Sequence, residues 1–416
     1  MKFNKWTLGL AAVGAVSLTS AARADEMNAV QTALSSTAIS GYIDTSFEWQ
    51  IEPDKEAPDF DSWPAIPFRN GTSRNGDGKR NGFNLNVVQL TIAKPMDESE
   101  WAAGYRVDLL FGPDAVGFNP SANVNTTDND EGALADVGIR QAYVALRTPI
   151  GNGIDWKFGV FTTILGYESF ESGNNPNFTR SWGWALEATQ HTGILGTYRV
   201  NDNVVFSAGL ANTHSAGINN RDSELSDHQS EWRKTWMASL ALTAPESMGA
   251  LAGSTLYLGA VGGYAGMIDP DETGSTTQDQ VNFYAGATIA TPVTGLRFGV
   301  AFDYVDNLGG GDRNVGYEDD VWNVGLYASY QATEKLSLHL RGEYGNLEYN
   351  SDVFSDTGDE EMWSLTATLQ YALWANVISR IEVRYDDLQV DGDSGEFSYD
   401  YDEQHLGVFA NVIYKF

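Results

Sequence analysis

Arg106, Arg140, Lys157, Arg297, Arg341, Arg380 and Arg384, together with Asp108, Asp303, Glu343 and Glu382, stand in the middle of segments whose other parity is apolar. Charges at such positions cannot be packed away without partners, so they imply a face that is wet or internally paired. Set across a water-filled space they make and break no bonds. They order water and select solutes by charge and dipole, which is the chemistry of a charged constriction. A hydrated wall that pairs its charges from strand to strand is the plainer reading of the same residues. Covalent catalysis has little to work with: His191, His214, His228, His339 and His405 are scattered, with no helical metal-ligand motif and no nucleophile elbow.

Charges on one parity require elements with a period of two. Apolar residues alternate in segment after segment: 38 to 51, 82 to 94, 101 to 111, 136 to 148, 154 to 164, 183 to 200, 204 to 213, 231 to 242, 254 to 266, 280 to 291, 296 to 306, 319 to 331, 336 to 346, 361 to 374, 377 to 387 and 404 to 416. The expected fold is an all-β transmembrane antiparallel barrel of about sixteen strands, with fourteen and eighteen as the neighbouring counts. Connections alternate between tight ones, such as Ala375-Asn376, and long polar ones, which fits short periplasmic turns and long extracellular loops. In the third segment Trp101, Ala103, Tyr105, Val107, Leu109 and Phe111 should face lipid and Gly104, Arg106 and Asp108 the interior. The twelfth and fourteenth repeat the pattern, with Trp322 and Tyr330, then Trp363 and Tyr371, as interfacial aromatics. Alternation alone does not say which face is buried. A barrel of this size leaves a water channel where one of eight strands would fill with side chains.

Both chain ends agree. Leu406 to Phe416 alternates strictly and finishes on Tyr414 and Phe416, the form that barrel assembly machinery reads. Lys2 and Lys5 precede an apolar stretch too short to span a bilayer, and Ala22-Arg23-Ala24 suits a signal-peptidase cut. The expected organisation is a signal peptide at 1–24, a short periplasmic lead at 25–37 and the barrel at 38–416. Export by a cleaved signal peptide to the outer membrane of a Gram-negative-type bacterium follows. The absence of cysteine in 416 residues excludes disulfide scaffolds and thiol chemistry. With Lys2, Lys5 and Arg23 removed, the formal charge goes from −31 to −34, which argues against nucleic acid as a partner.

The connection from Leu165 to Trp182 combines glycine, aromatics, Glu168, Glu171 and an arginine. Folded inward, it would set both carboxylates against wall arginines and create a transverse field; left outside, it would be an ordinary external loop. Its Leu165-Gly166-Tyr167-Glu168 and Asn175-Pro176-Asn177-Phe178-Thr179-Arg180-Ser181, with Thr37-Ala38-Ile39-Ser40-Gly41-Tyr42-Ile43-Asp44-Thr45-Ser46, resemble segments of the OmpL-like putative beta-barrel porin family. The resemblance implies an outer-membrane pore and names no solute.

Acidic clusters at Asp128 to Glu131, Glu318 to Asp320, Asp356 to Glu361, Asp386-Asp387 and Asp391 to Glu396 are assigned to the long connections. No cofactor is expected, although loop-bound calcium or magnesium would suit such oxygen-rich clusters. The function expected is passive diffusion of small hydrophilic solutes and ions. The alternatives are an adhesin or receptor acting through its loops and, ranked last, a barrel-wall hydrolase. Expected partners are outer-membrane lipid and lipopolysaccharide, the assembly machinery, the solutes, and further copies of the chain in a homotrimer.

Overall fold

The computed structural model describes residues 30–31, 36–51, 81–118, 137–212, 214, 217–219, 233–264, 279–307, 317–351, 356–393 and 398–416. The signal segment at 1–24 and most of the lead at 25–37 lie outside the described residues.

Sixteen strands form the wall. They are β1 Ala38–Ile51, β2 Gly82–Lys94, β3 Ala103–Phe111, β4 Val137–Thr148, β5 Ile154–Thr162, β6 Gln190–Asn201, β7 Val204–Ala211 and β8 Thr235–Thr243. The circuit continues with β9 Thr255–Tyr264, β10 Asp279–Ala290, β11 Leu296–Asp306, β12 Tyr317–Gln331, β13 Leu336–Ser351, β14 Asp356–Trp374, β15 Val377–Asp393 and β16 Ser398–Lys415. Each pairs antiparallel with the next, and β16 pairs with β1 from Leu406↔Ile51 to Lys415↔Tyr42. Lipid offers no partner for an open strand edge, so closure satisfies the whole ladder. At the seam Gly41 and Phe416 exchange both backbone hydrogen bonds, each 2.9 Å.

Outward residues follow the expected parity. Phe47, Trp49, Leu326, Tyr330, Trp363, Leu365, Leu369 and Tyr371 are exposed, and Trp101 stands exposed in the turn just before β3. Asn376 takes a φ of 64° in the two-residue turn between β14 and β15. A polar residue tolerates that left-handed conformation and lets the strands reverse at once.

Two expectations are corrected, and the packing of the inner face is a further finding. Residues 183 to 189 do not begin the sixth strand: Trp182–Leu186 is a short helix, and β6 starts at Gln190. The acidic groups at Glu318 to Asp320, Asp356 to Glu361, Asp386-Asp387 and Asp391 to Asp393 extend strands β12, β14 and β15 instead of forming loops. The inward parity is also not uniformly polar. Phe161, Leu195, Met237, Tyr257, Val261, Tyr284 and Tyr327 point inside and pack with Ile164, Leu165 and Tyr167 as one apolar cluster. Period-two reasoning misses this because both faces are apolar there, one toward lipid and one toward an inserted segment of the chain itself.

Candidate functional site

Residues 163–189, between β5 and β6, cross the lumen. A segment without a strand ladder at membrane depth must find partners for its N–H and C=O groups among side chains. The wall supplies them. Arg380 donates to the carbonyls of Ser172 (2.9 Å) and Asn175 (2.7 Å), and Arg384 Nη1 donates to that of Arg180 (2.5 Å). Tyr257 Oη donates to Ile164 O (2.5 Å), Asn282 Nδ2 to Leu186 O (2.6 Å), Arg140 Nη1 to Thr189 O (2.8 Å) and Lys415 Nζ to Gly173 O (3.2 Å).

Carboxylates serve the opposite polarity. Glu382 accepts from Phe178 N (2.6 Å), Thr179 N (2.9 Å), Thr179 Oγ1 (2.6 Å) and Thr368 Oγ1 (2.6 Å). Glu343 accepts from Trp182 N (2.6 Å), while Asp386 accepts from the Trp182 indole (3.0 Å). The hub is Arg341, fully buried, which bridges Glu168 on the segment (2.9 Å) and Glu343 beside it on β13 (2.9 Å). Glu168 also accepts from Ser181 N (2.9 Å), and the Ser181 hydroxyl caps the helix at Trp184 N (3.0 Å).

Packing reinforces the polar contacts. Tyr167 stacks on Tyr327 with centroids 4.1 Å apart, over Gly299, where a Cβ would meet its hydroxyl at 2.0 Å. Phe170 packs with Tyr42, Val87, Leu110 and Ile413 beneath the Arg140 guanidinium, 5.1 Å from the ring centre. Trp182 and Leu186 join Val305, Val321, Leu347, Met362, Leu388 and Val390. The segment is thus held on opposite sides of the cylinder.

Glu187, on the segment's return leg, is hydrogen-bonded to Asp303 of β11. Its carboxyl is held well above the usual carboxylate range by burial, and the nearby Asp303 and Glu168 push in the same direction. Beyond β7, His214 Nε2 lies 2.9 Å from Asn282 Oδ1, and burial pushes its imidazole down to about 4.

The expected charged residues therefore divide into two groups. Asp303, Arg341, Glu343, Arg380, Glu382 and Arg384 do face inward, yet they are buried with Glu168 under the segment and anchor it. Arg106, Lys157 and Glu171 are half-buried and Arg297 is exposed. Asp108 is buried beside Arg106, and Arg140 is covered by Phe170. Sequence reasoning did not single out Tyr167, Phe170, Arg180, Glu187 or Lys415 for this region. Arg180 and Tyr167 lay within the quoted motifs, and nothing in the spacing pairs Glu187 with Asp303 across 116 positions (303 against 187).

Other chemistries find less support. Ser329 Oγ and His339 Nδ1 are 2.8 Å apart, but both are buried and, among the described residues, the opposite ring nitrogen, Nε2, has no hydrogen-bond partner and no carboxylate orients the ring. Among the described residues, no group of three or more His, Asp or Glu could hold a metal ion.

A family model described as "Putative beta-barrel porin-2, OmpL-like" matches residues 36–416. No curated protein matches the sequence. The outer-membrane channel DcaP of Acinetobacter baumannii has a similar structure, with a TM-score of 0.53 at 13% identity over 94% of this chain and 100% of that one. OmpF of Salmonella typhi in complex with daunomycin gives 0.54 at 12% identity over 91% and 97%, and OmpT of Vibrio cholerae in its trimer form gives 0.52 at 12% over 91% and 99%. At these identities the likeness is one of fold.

Proposed function

The chain belongs to the OmpL-like putative beta-barrel porin-2 family, and from that premise we propose how this outer-membrane porin conducts: solutes pass through a reduced, one-sided opening beside an anchored internal segment. The path is bounded by the free side of residues 163–189, which carries Glu171, and by the inner faces of β2 to β5. It takes small hydrophilic solutes and ions by passive diffusion and needs no cofactor or catalytic group. The observation that carries this reading is the anchoring itself: fixed hydrogen bonds from β4, β9, β10, β13, β15 and β16 hold the segment across the bore. The same proposal includes cleavage after Ala24 and assembly as a homotrimer, for which the trimeric form of a protein of like fold offers support.

The cysteine-free chain allows a direct test. Thr91 is half-buried on the open side, whereas Ser239 is buried on the inward face of β8, remote from it. In planar bilayers, a Thr91→Cys channel should lose current on exposure to a charged thiol reagent, and a Ser239→Cys channel should not. Equal block of the two would show that solutes use the whole bore, and an absence of conductance in the native protein would overturn the channel reading.

A further inference from the structure

Burial takes a larger share of the acids of the lumen than of its bases. The inward carboxylates Asp44, Glu48, Asp108, Asp303, Glu343, Glu382 and Asp386, and Glu168 and Glu187 on the segment, are all buried. Asp155 is half-buried and bound by two hydrogen bonds to Arg147, 2.6 and 2.9 Å. Glu171 on the segment and Asp114, just after β3, are further acidic groups with partial exposure. The bases divide: Arg140, Arg180, Arg341, Arg380 and Arg384 are buried as anchors, and four others are not. Arg106, Lys157 and Lys415 are half-buried, and Arg297 is exposed at the periplasmic end of β11.

Two of the half-buried bases, Arg106 and Lys157, are also presented in a way that leaves charge available. Asp108 accepts from Thr91 Oγ1 (2.7 Å), Gln141 Nε2 (2.6 Å) and Arg106 Nε (2.8 Å), so its own demand is met by three wall donors. Arg106 gives it only the inner nitrogen, and 37% of the arginine side chain remains exposed. Lys157 rests over the Tyr143 ring, 5.1 Å from its centre, with no carboxylate at ion-pair distance among the described residues. Glu171 is within electrostatic reach of Arg106, Arg140 and Lys415 and offsets part of this charge.

We propose that the open side of the constriction is an anion site that passes small carboxylates and inorganic anions ahead of cations, built by Arg106 on β3 and Lys157 on β5 and opposed by Glu171. The proposal rests on the one-sided path described above and adds its ion preference. It runs against the overall charge of −31, because most inward carboxylates among the described residues are buried. Arg106 meets a carboxylate with directed N–H donors, while Lys157 contributes a point charge.

The test is the reversal potential of single channels in a potassium chloride gradient, repeated with potassium acetate. The native channel should favour chloride over potassium. Arg106→Gln with Lys157→Gln should lower the chloride-to-potassium ratio by about two- to four-fold per charge removed, and Glu171→Gln should raise it. The hydrogen bonds that hold the segment to the wall run through other residues, so the Glu171→Gln variant reports even if the double variant fails to assemble. A native channel that conducts but prefers potassium, or a Glu171→Gln channel with an unchanged ratio, would overturn the anion site while leaving the porin reading intact. Loss of all conductance in the native protein would instead overturn the porin reading.

Discussion

At the scale of single residues, the strongest demand falls on Arg341. Its guanidinium compensates Glu168 and Glu343 where neither sees water, and removing one partner of a buried ion pair commonly costs about 3–5 kcal/mol. Most of that cost should fall on the seating of residues 163–189, because the β13 ladder does not depend on the side chain. Arg341→Ala is expected to fold, to show larger and noisier single-channel currents, and to lose its compact gel mobility at a lower temperature than the native protein. Currents of native size would mean that the segment holds its place without the hub. Sequence parity identified Arg341, Arg380, Arg384, Glu343 and Glu382 as inward and ionisable, and the structure agrees. What parity could not convey is whether an inward charge meets water or a backbone. That depends on where another part of the chain lies, and the backbone N–H groups that Glu382 accepts from are more than 200 positions away.

At the scale of elements, the strands were legible and the segment between β5 and β6 was only partly so. Alternation located all sixteen strands because lipid imposes the same rule on each. It stopped β13 at 346 and β15 at 387, whereas the ladders run on to Ser351 and Asp393, where acidic and polar residues break the apolar pattern without breaking the hydrogen bonding. It also extended the sixth strand back to 183 over a helix, since Trp184, Leu186 and Ala188 mimic a period of two. The inward segment itself depends on small wall residues as much as on charges. A valine at Gly299 would drive its Cβ into the Tyr167 hydroxyl and displace the ring from Tyr327. Such a ring pair is worth about 0.5–1.5 kcal/mol beyond its buried area. Gly299→Val should therefore leave barrel assembly unchanged and alter unitary conductance. An unaltered conductance would show that Tyr167 does not help set the width of the path.

At the scale of the molecule, closure and bore are linked through the last strands. The backbone bonds between Gly41 and Phe416 finish the seam, and Gly41 leaves room for the Phe416 ring: a Cβ there would lie 2.7 Å from its Cζ. Deleting Phe416 should reduce the yield of folded, heat-modifiable barrel while the barrels that do form conduct normally; a normal yield would remove the terminal residue from the assembly step. The strands that close the cylinder also carry Arg380, Glu382, Arg384 and Lys415, the anchors of a segment that precedes them by some two hundred positions. Translated in time, residues 163–189 are made early and wait, matched only in part by β4, β9, β10 and β13, until β15 and β16 arrive. An incomplete barrel is therefore a wide one, and sealing the wall against lipid and narrowing the passage through it become a single event in the life of the protein.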